Sequence, residues 1–254
     1  MSRIWIIAKM SLLENSRKQV FHVLCLLMLT VIAGSTLLSF LTDGVKLKIL
    51  KDLCLTCVLF GGAVIAIALA SSGIPNDVEM RTIYPIIARP ITRLHYITGK
   101  YLGTLLTVAM GILAMSAVFG ILIFSYGGFD SFLITAMLFT LLEIAIIAAV
   151  ATALSTVASP AVTAVITFLV YICGSIKIGY FGEMIEKTGN GLPKTAFGLI
   201  YHILPNLECF NLKNALVHND PVPASYLIQV ALYGVCYIAF VLFLGSIAFM
   251  RKEV

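Results

Sequence analysis

Six long apolar runs constrain the fold of this chain more than any other feature. They lie at residues 20–41, 53–72, 101–125, 132–155, 161–180 and 224–250. Each is about as long as the roughly 20 residues that a helix needs to cross a bilayer. Because the hydrocarbon layer offers the backbone no water to bond, spans of this kind have to be helical. The sequence therefore predicts an all-α polytopic membrane protein with six transmembrane helices, built as a single transmembrane domain over residues 1–254.

The composition agrees with this prediction and excludes an ordinary soluble domain. Hydrophobic residues make up 60% of the chain and charged residues 11%, whereas soluble domains have about 45–50% and about 25%. The formal net charge is +5, and most of the cations flank the apolar runs, where topology and anionic lipid explain them. Nothing in the sequence supports a role with nucleic acid.

The distribution of Lys and Arg predicts the orientation. Basic residues that favour the cytoplasmic side precede the first run, separate the second from the third and end the chain: Arg3, Lys9, Arg17, Lys18, Arg81, Arg89, Arg93, Lys100, Arg251 and Lys252. Lys46, Lys48 and Lys51 fall in the predicted first outer loop and oppose this bias. We expect a multi-pass protein of the cell membrane with both termini in the cytoplasm. The first run starts late and has no cleavage site, so we expect it to stay as an anchor.

Residues 1–19 mix apolar and basic side chains ahead of the first run. A helix lying in the membrane interface, with Trp5 at the level of the lipid headgroups, would use both kinds of residue. The apolar residues do not separate sharply on a helical wheel. A basic lead-in without stable structure is the alternative.

The polar segment 76–100, between the second and third runs, has a readable local design. Pro75 would close the preceding run, and Asn76 with Glu79 three residues later resembles a capping box, which predicts a short helix from Asp77 to Ile83. Pro85 and Pro90 would then turn the chain, and Thr92 would start the next helix. Further on, Gly99 and Gly103 are spaced to let a neighbouring backbone approach closely.

This segment resembles the cytosolic insert of ABC-2-type permeases, the transmembrane subunits of ATP-binding-cassette transporters. The resemblance is carried by Glu79, Arg81-Thr82, Arg89-Pro90-Ile91-Thr92-Arg93, Tyr96 and Gly99-Lys100-Tyr101-Leu102-Gly103. The resemblance extends more weakly over the whole chain. It implies that the insert is a coupling helix that docks on a separate ATPase subunit. The residues expected to bind that partner are Asp77, Glu79, Arg81, Thr82, Ile83, Arg89 and Arg93.

The resemblance also implies the assembly and the absence of catalysis in this chain. No Walker motif and no hydrolase motif occurs, so ATP and magnesium are expected on the partner ATPase, and this chain is expected to be no enzyme and to bind no cofactor. Two ATPase subunits and a second copy of this chain, or a related permease, are the implied partners. The implied direction is export. An accessory protein on the outer side remains open.

Two functions without ATP remain as alternatives. One is a secondary transporter or channel, although the two halves of the chain show no internal repeat. The other is a membrane anchor or assembly factor for an enzyme complex. The sequence does not indicate a substrate.

The segment 181–223, between the last two runs, is predicted to lie on the outer side. Its apolar stretch 196–204 is too short to span, which favours a re-entrant or interfacial helix. By the same resemblance, Pro205 and Asn206 belong to an outer gate. A surface helix that fixes the last span is the alternative.

Glu143 is a carboxylate in the middle of an apolar run, a costly position that by default suggests a functional site. It could line the translocation path or take part in proton coupling, or it could hold the bundle through a hydrogen bond to a neighbouring helix. The six cysteines and four histidines show no spacing typical of a metal site. We expect no metal.

Overall fold

The computed structural model describes residues 3–38, 46–80, 92–125, 132–176, 204–213 and 222–250, and within these ranges every regular element is helical. Seven α-helices lie there, with a short 3-10 turn at Glu208–Phe210 between the last two. They are α1 (Arg3–Ser16), α2 (Gln19–Leu38), α3 (Lys46–Glu79), α4 (Arg93–Ser125), α5 (Phe132–Ser155), α6 (Pro160–Ser175) and α7 (Ala224–Met250).

The helices fit a protein that crosses the membrane several times. In the described part of the chain, α3, α4, α5 and α7 are each long and apolar enough to span a bilayer. α1 and α2 are bent by 65° where they meet and together would make a fifth span, whereas α6 has only 16 residues. The prediction of an all-α polytopic membrane protein is therefore confirmed.

α3 and α5 form the centre of the bundle. α5 packs against α3, α4, α6 and α7, and α3 also contacts α2, α4 and α6. Every residue of α5 from Glu143 to Thr152 is buried. Residues 144–151 are apolar all round, and neighbouring helices cover each face. α7 lies at the edge of the bundle and buries mainly one narrow stripe.

α3 runs through Pro75, contrary to the prediction that this proline ends the second span. The backbone N–H of Met80 donates to the Asn76 carbonyl at 2.9 Å, so Asn76 lies inside the helix and does not cap a new one. The capping box with Glu79 and the separate helix from Asp77 are wrong. A proline is tolerated in such helices when neighbours hold the chain, and here Ile74 and Asp77 are both buried against them.

The segment between the second and third spans is correspondingly shorter than the predicted insert. α3 has 34 residues and is about 51 Å long, well beyond the roughly 30 Å of a hydrocarbon layer. α4 begins at Arg93, as predicted from Thr92, whose Oγ1 accepts a hydrogen bond from the His95 backbone N–H at 3.4 Å. We call the end of the bundle where α3 ends and α4 begins the insert end.

Candidate functional site

A buried ionic cluster joins three helices at the insert end. The Lys100 ammonium lies 2.8 Å from Asp77 Oδ2 and 3.1 Å from Glu14 Oε2, so one cation on α4 serves a carboxylate on α3 and another on α1. The Tyr96 hydroxyl also donates to Asp77 Oδ2, at 2.5 Å. Because Asp77, Lys100 and Tyr96 are all nearly inaccessible to solvent, the cluster fixes the two helix ends that flank residues 80–92.

The local sequence explains half of this geometry. Tyr96 and Lys100 are four residues apart on α4 and therefore share a face. Asp77 lies close to the end of α3, where it meets that face. Sequence reasoning missed Lys100, Tyr96 and Glu14 as site residues; the available signal was a lysine placed between Gly99 and Gly103 at the start of an apolar run.

Glu14 is the more exposed member of the cluster and is held in its ionised form. Burial alone would raise the pKa of Glu14, but the charges of Lys100 and then Lys18 outweigh this effect and keep the pKa below its ordinary value of 4.5. The Lys18 ammonium lies 3.2 Å from Glu14 Oε1, one helical turn away. The cluster therefore contains two carboxylates and two ammonium groups.

The predicted close approach at Gly99 and Gly103 is present, and the neighbour is α1. A Cβ at Gly103 would lie 2.5 Å from Ser11 Cβ, and a Cβ at Gly99 would lie 2.7 Å from Ile7 Cβ, both closer than real side chains come. Just beyond, the Asn15 amide donates to Thr104 Oγ1 at 3.3 Å. α1 is thus packed along the first turns of α4.

The face of α1 that points away from the bundle carries its large apolar residues. Trp5, Ile6, Met10 and Leu13 are each at least 48% exposed, whereas Ala8, Ser11 and Asn15 are at most 2% exposed. The face toward α4 consists of these small or polar residues and of Ile7, which packs on Gly99. The outward face suits contact with lipid, as expected for an interfacial helix.

Arg93 connects the insert end to the last helix. Its guanidinium lies 5.3 Å from the centre of the Phe249 ring, and its Nη1 donates to the Phe249 carbonyl at 2.5 Å. The Tyr96 ring stacks on the same phenylalanine. The start of α4 is therefore tied to the end of α7 as well as to α1 and α3.

The residues predicted to bind a partner thus have different positions. The side chains of Asp77 and Arg93 make contacts within the bundle. Glu79 is exposed at the end of α3, and the next residue, Met80, is 76% exposed. The other predicted contacts lie outside the described residues: Arg81, Thr82, Ile83 and Arg89.

A short segment enters the bundle from the opposite end. Within residues 204–213, which we call the wedge, Leu207, Phe210 and Leu212 are at most 5% exposed. Leu207 packs on Gly174 of α6, and the Phe210 ring packs on Gly234 of α7. The wedge therefore inserts between helices, and we call this side the wedge end. Residues 196–203 of the predicted re-entrant or interfacial helix lie outside the described residues.

The residues predicted as an outer gate belong to the wedge. Pro205 is buried and Asn206 is half-buried; the Asn206 backbone N–H donates to the Tyr233 hydroxyl of α7 at 2.9 Å. The Tyr226 hydroxyl donates to the carbonyl of Cys209 at 3.0 Å. Two hydrogen bonds with tyrosines of α7, one donated by the wedge and one accepted by it, and buried apolar side chains thus hold the wedge in place.

Glu143 lies deep in α5 beneath the wedge and is 2% exposed. Among the described residues its Oε2 has no hydrogen-bond partner. This finding does not support the interpretation that a hydrogen bond from this oxygen holds the bundle together. All six cysteines are free thiols, and the described residues contain no group of three or more His, Cys, Asp or Glu side chains arranged to hold a metal.

The arrangement defines a multi-pass helical membrane protein with a rigid polar joint at one end and an inserted segment at the other. The model of a family described as "Protein of unknown function (DUF2705)" matches residues 55–254, so the chain belongs to this family. No curated protein matches the chain.

Proposed function

We propose that this chain is the membrane subunit of an ABC transporter of the ABC-2 type, acts as an exporter and is driven by a separate ATPase. The proposal continues the resemblance of residues 76–103 and assumes that α2 and α6 complete six spans. The insert end would then face the cytoplasm of the cell, and the wedge end would face outward.

The observation that carries this proposal is the Asp77–Lys100–Glu14 cluster. It joins the two helices on either side of residues 80–92 to each other and to α1, so a force applied to that segment would reach three helices together. A docking element needs a rigid connection of this kind to the helices, because a flexible attachment would absorb motion instead of passing it on. A mere connecting loop would need no buried ion pair beneath it.

The contact surface in this proposal begins at the end of α3. Glu79 and Met80 supply an exposed charge and an exposed apolar side chain side by side. Arg81, Thr82 and Ile83 follow directly in the sequence. Asp77 and Arg93, which the sequence predicts as direct contacts with the ATPase, would act instead by fixing the end of α3 and the start of α4.

Two copies of this chain, or this chain and a related permease, would assemble with two ATPase subunits. A surface suited to the second copy exists along α7, whose outward residues Ile228, Leu232 and Phe240 are each at least 59% exposed. Beside it an apolar groove of about 570 Å³ lies between α4, α5 and α7. Closed two-fold pairing is the usual way to cover such a face.

The test is purification of the tagged chain from its own cells in mild detergent, with mass spectrometry for peptides that contain Walker motifs. We expect a co-purified ATPase, and we expect Glu79→Lys and Met80→Asp each to reduce its yield about tenfold or more, the effect of losing about 1.4 kcal/mol of binding. ATP hydrolysis in the purified sample should fall with it.

Lys48→Glu is the matched control, because it reverses a charge at the opposite end of the same helix, where Lys48 is also exposed. It should leave the ATPase bound. The proposal is wrong if no ATPase accompanies the chain, or if Lys48→Glu removes it as effectively as Glu79→Lys does.

A further inference from the structure

Glu143 occupies the one position where the described bundle buries a carboxylate without a cation. It lies eleven residues after the start of α5 at Phe132, which is about 16 Å along the helix axis. Half the thickness of a hydrocarbon layer is about 15 Å. The carboxyl group is therefore at the depth of the membrane centre if α5 spans it.

A small cavity joins Glu143 to the wedge. It is lined by Leu55 and Leu59 of α3, by Ala136 and Thr140 of α5, and by Asn211, Leu212 and Lys213 of the wedge. The space open to the centre of a water-sized molecule is about 10 Å³, which corresponds to about one water molecule. The wedge thus forms the cover of a compartment that is large enough for one water beside the carboxyl group.

Among the described residues, the charged and titratable groups around this compartment do not pair with Glu143. The Lys213 ammonium is taken by Asp52, 3.0 Å away, and by the Thr56 hydroxyl, also 3.0 Å away. From α6, Tyr171 is the titratable group within electrostatic range. The contributions of α3 to the cavity wall are apolar. An ionised Glu143 would therefore be an unpaired buried charge, which costs several kcal/mol.

α6 also carries buried hydroxyl groups without hydrogen-bond partners among the described residues of the bundle. The hydroxyls of Thr163 and Thr167 are buried and have no partner among the described residues. With Tyr171 they form one buried face of α6, at positions spaced four residues apart. This polar face suits water entering the bundle better than it suits a dry apolar core.

We propose that Glu143 is a proton-binding site whose occupancy controls whether the wedge is seated. With the proton bound, the neutral acid tolerates burial and the wedge covers it. When the O–H bond breaks, the proton passes to the water in the cavity and leaves at the wedge end, and the carboxylate that remains needs more water. Hydrating it requires the wedge to lift. This inference does not depend on the ATPase.

Cys209 provides a reporter for the seating of the wedge, because its thiol is half-buried and accepts a hydrogen bond from the Asn206 amide. The other five cysteines are replaced, and the rate of reaction with a membrane-impermeant maleimide is followed from pH 5.5 to pH 8.5. Maleimide attacks the thiolate, so its rate rises with pH in any variant. The informative quantity is the rate relative to Glu143→Gln, which keeps the shape but stays neutral.

We expect this ratio to be near one at low pH and to increase by up to about tenfold per pH unit above its midpoint, as linkage of one proton to opening requires. Glu14→Gln, a carboxyl substitution at the insert end, should leave the curve unchanged. A flat ratio across the range overturns the inference, and so does faster labelling in Glu143→Gln than in the parent.

Difference infrared spectroscopy tests the bound proton directly. The folded parent protein should show the C=O stretch of a protonated carboxylic acid near neutral pH, and Glu143→Gln should lack it. If Glu143→Gln does not fold, Glu143→Asp should retain the band at a shifted frequency. Absence of the band in the folded parent at pH 5.5 also overturns the inference.

Discussion

Replacing Lys100 with methionine tests whether the ionic cluster holds the insert end together. The substitution keeps most of the side-chain volume but removes the ammonium that lies 2.8 Å from Asp77. Asp77, which is 8% exposed, would keep the Tyr96 hydroxyl and lose this ammonium. Removing one partner of a buried ion pair costs about 3–5 kcal/mol. We count almost nothing for Glu14, because its side chain is 40% exposed and solvent screens it.

The measurement is unfolding by sodium dodecyl sulfate in dodecyl maltoside micelles, followed by circular dichroism and by the intrinsic fluorescence of Trp5. Lys213→Met is the matched control. Lys213 also has a carboxylate 3.0 Å away, but the side chains of Lys213 and Asp52 are 26% and 46% exposed, so the loss should be at most about 1 kcal/mol. The expected difference between the two variants is therefore about 2–5 kcal/mol.

A second variant separates loss of the pair from loss of packing. In Asp77→Asn with Lys100→Met, both members of this ion pair are removed together, and the amide oxygen still accepts from Tyr96. This double variant should recover a large part of the stability that Lys100→Met loses. The reasoning is refuted if Lys100→Met is no less stable than Lys213→Met, or if the double variant is as unstable as Lys100→Met alone.

Three further predictions concern packing and pH. Gly103→Ala should lower the free energy of unfolding by about 1–3 kcal/mol, because the added methyl would lie 2.5 Å from Ser11 Cβ. Gly120→Ala is the control: a Cβ there has nothing within 4 Å, so this variant should not be destabilised. Equal effects of the two substitutions would contradict the α1–α4 packing. The pKa of Glu14 is depressed in the folded state, so Glu14 stabilises the fold above about pH 4.5, and this stabilisation is lost as the pH falls through the lower folded pKa. Detergent unfolding at pH 6 and pH 3.5 should therefore show a smaller decrease in the free energy of unfolding for Glu14→Gln than for the parent. Phe210→Ala should cost about 3–5 kcal/mol and speed the maleimide labelling of the wedge; unchanged labelling would show that this ring does not seat it.

The helices could be predicted from the sequence because their main cause is local. A bilayer requires long apolar helical runs, and 132–155 and 224–250 agree with the observed bounds of α5 and α7. The prediction that Pro75 ends the second span is wrong because the tendency of a proline to end a helix is weaker here than the tertiary contacts of its neighbours. Ile74 and Asp77 are buried against other helices, and the local sequence around Pro75 does not reveal these contacts.

The candidate site was only partly predictable, for a related reason. The spacing of Gly99 and Gly103 predicts the close approach of another helix but does not identify that helix. The partners in the cluster are distant along the chain: Glu14 and Lys100 are separated by 86 positions. A charge pattern read along one helix cannot reveal such pairs. Glu143 stood out in the sequence, yet only the fold shows that the wedge covers it.

The tight contacts along α3 indicate how motion at the insert end would travel, whatever drives it. A Cβ at Gly61 would lie 2.6 Å from Met28 Cγ of α2, and a Cβ at Gly62 would overlap Ile144 Cδ1 of α5. At both positions a side chain of the neighbouring helix lies directly against the α3 backbone, in the space that the glycine leaves open. Close-packed interiors shift between discrete arrangements instead of deforming smoothly. We therefore expect movement of α3 to shift α2 and α5, which pack against it, and α5 bears Glu143 beneath the wedge.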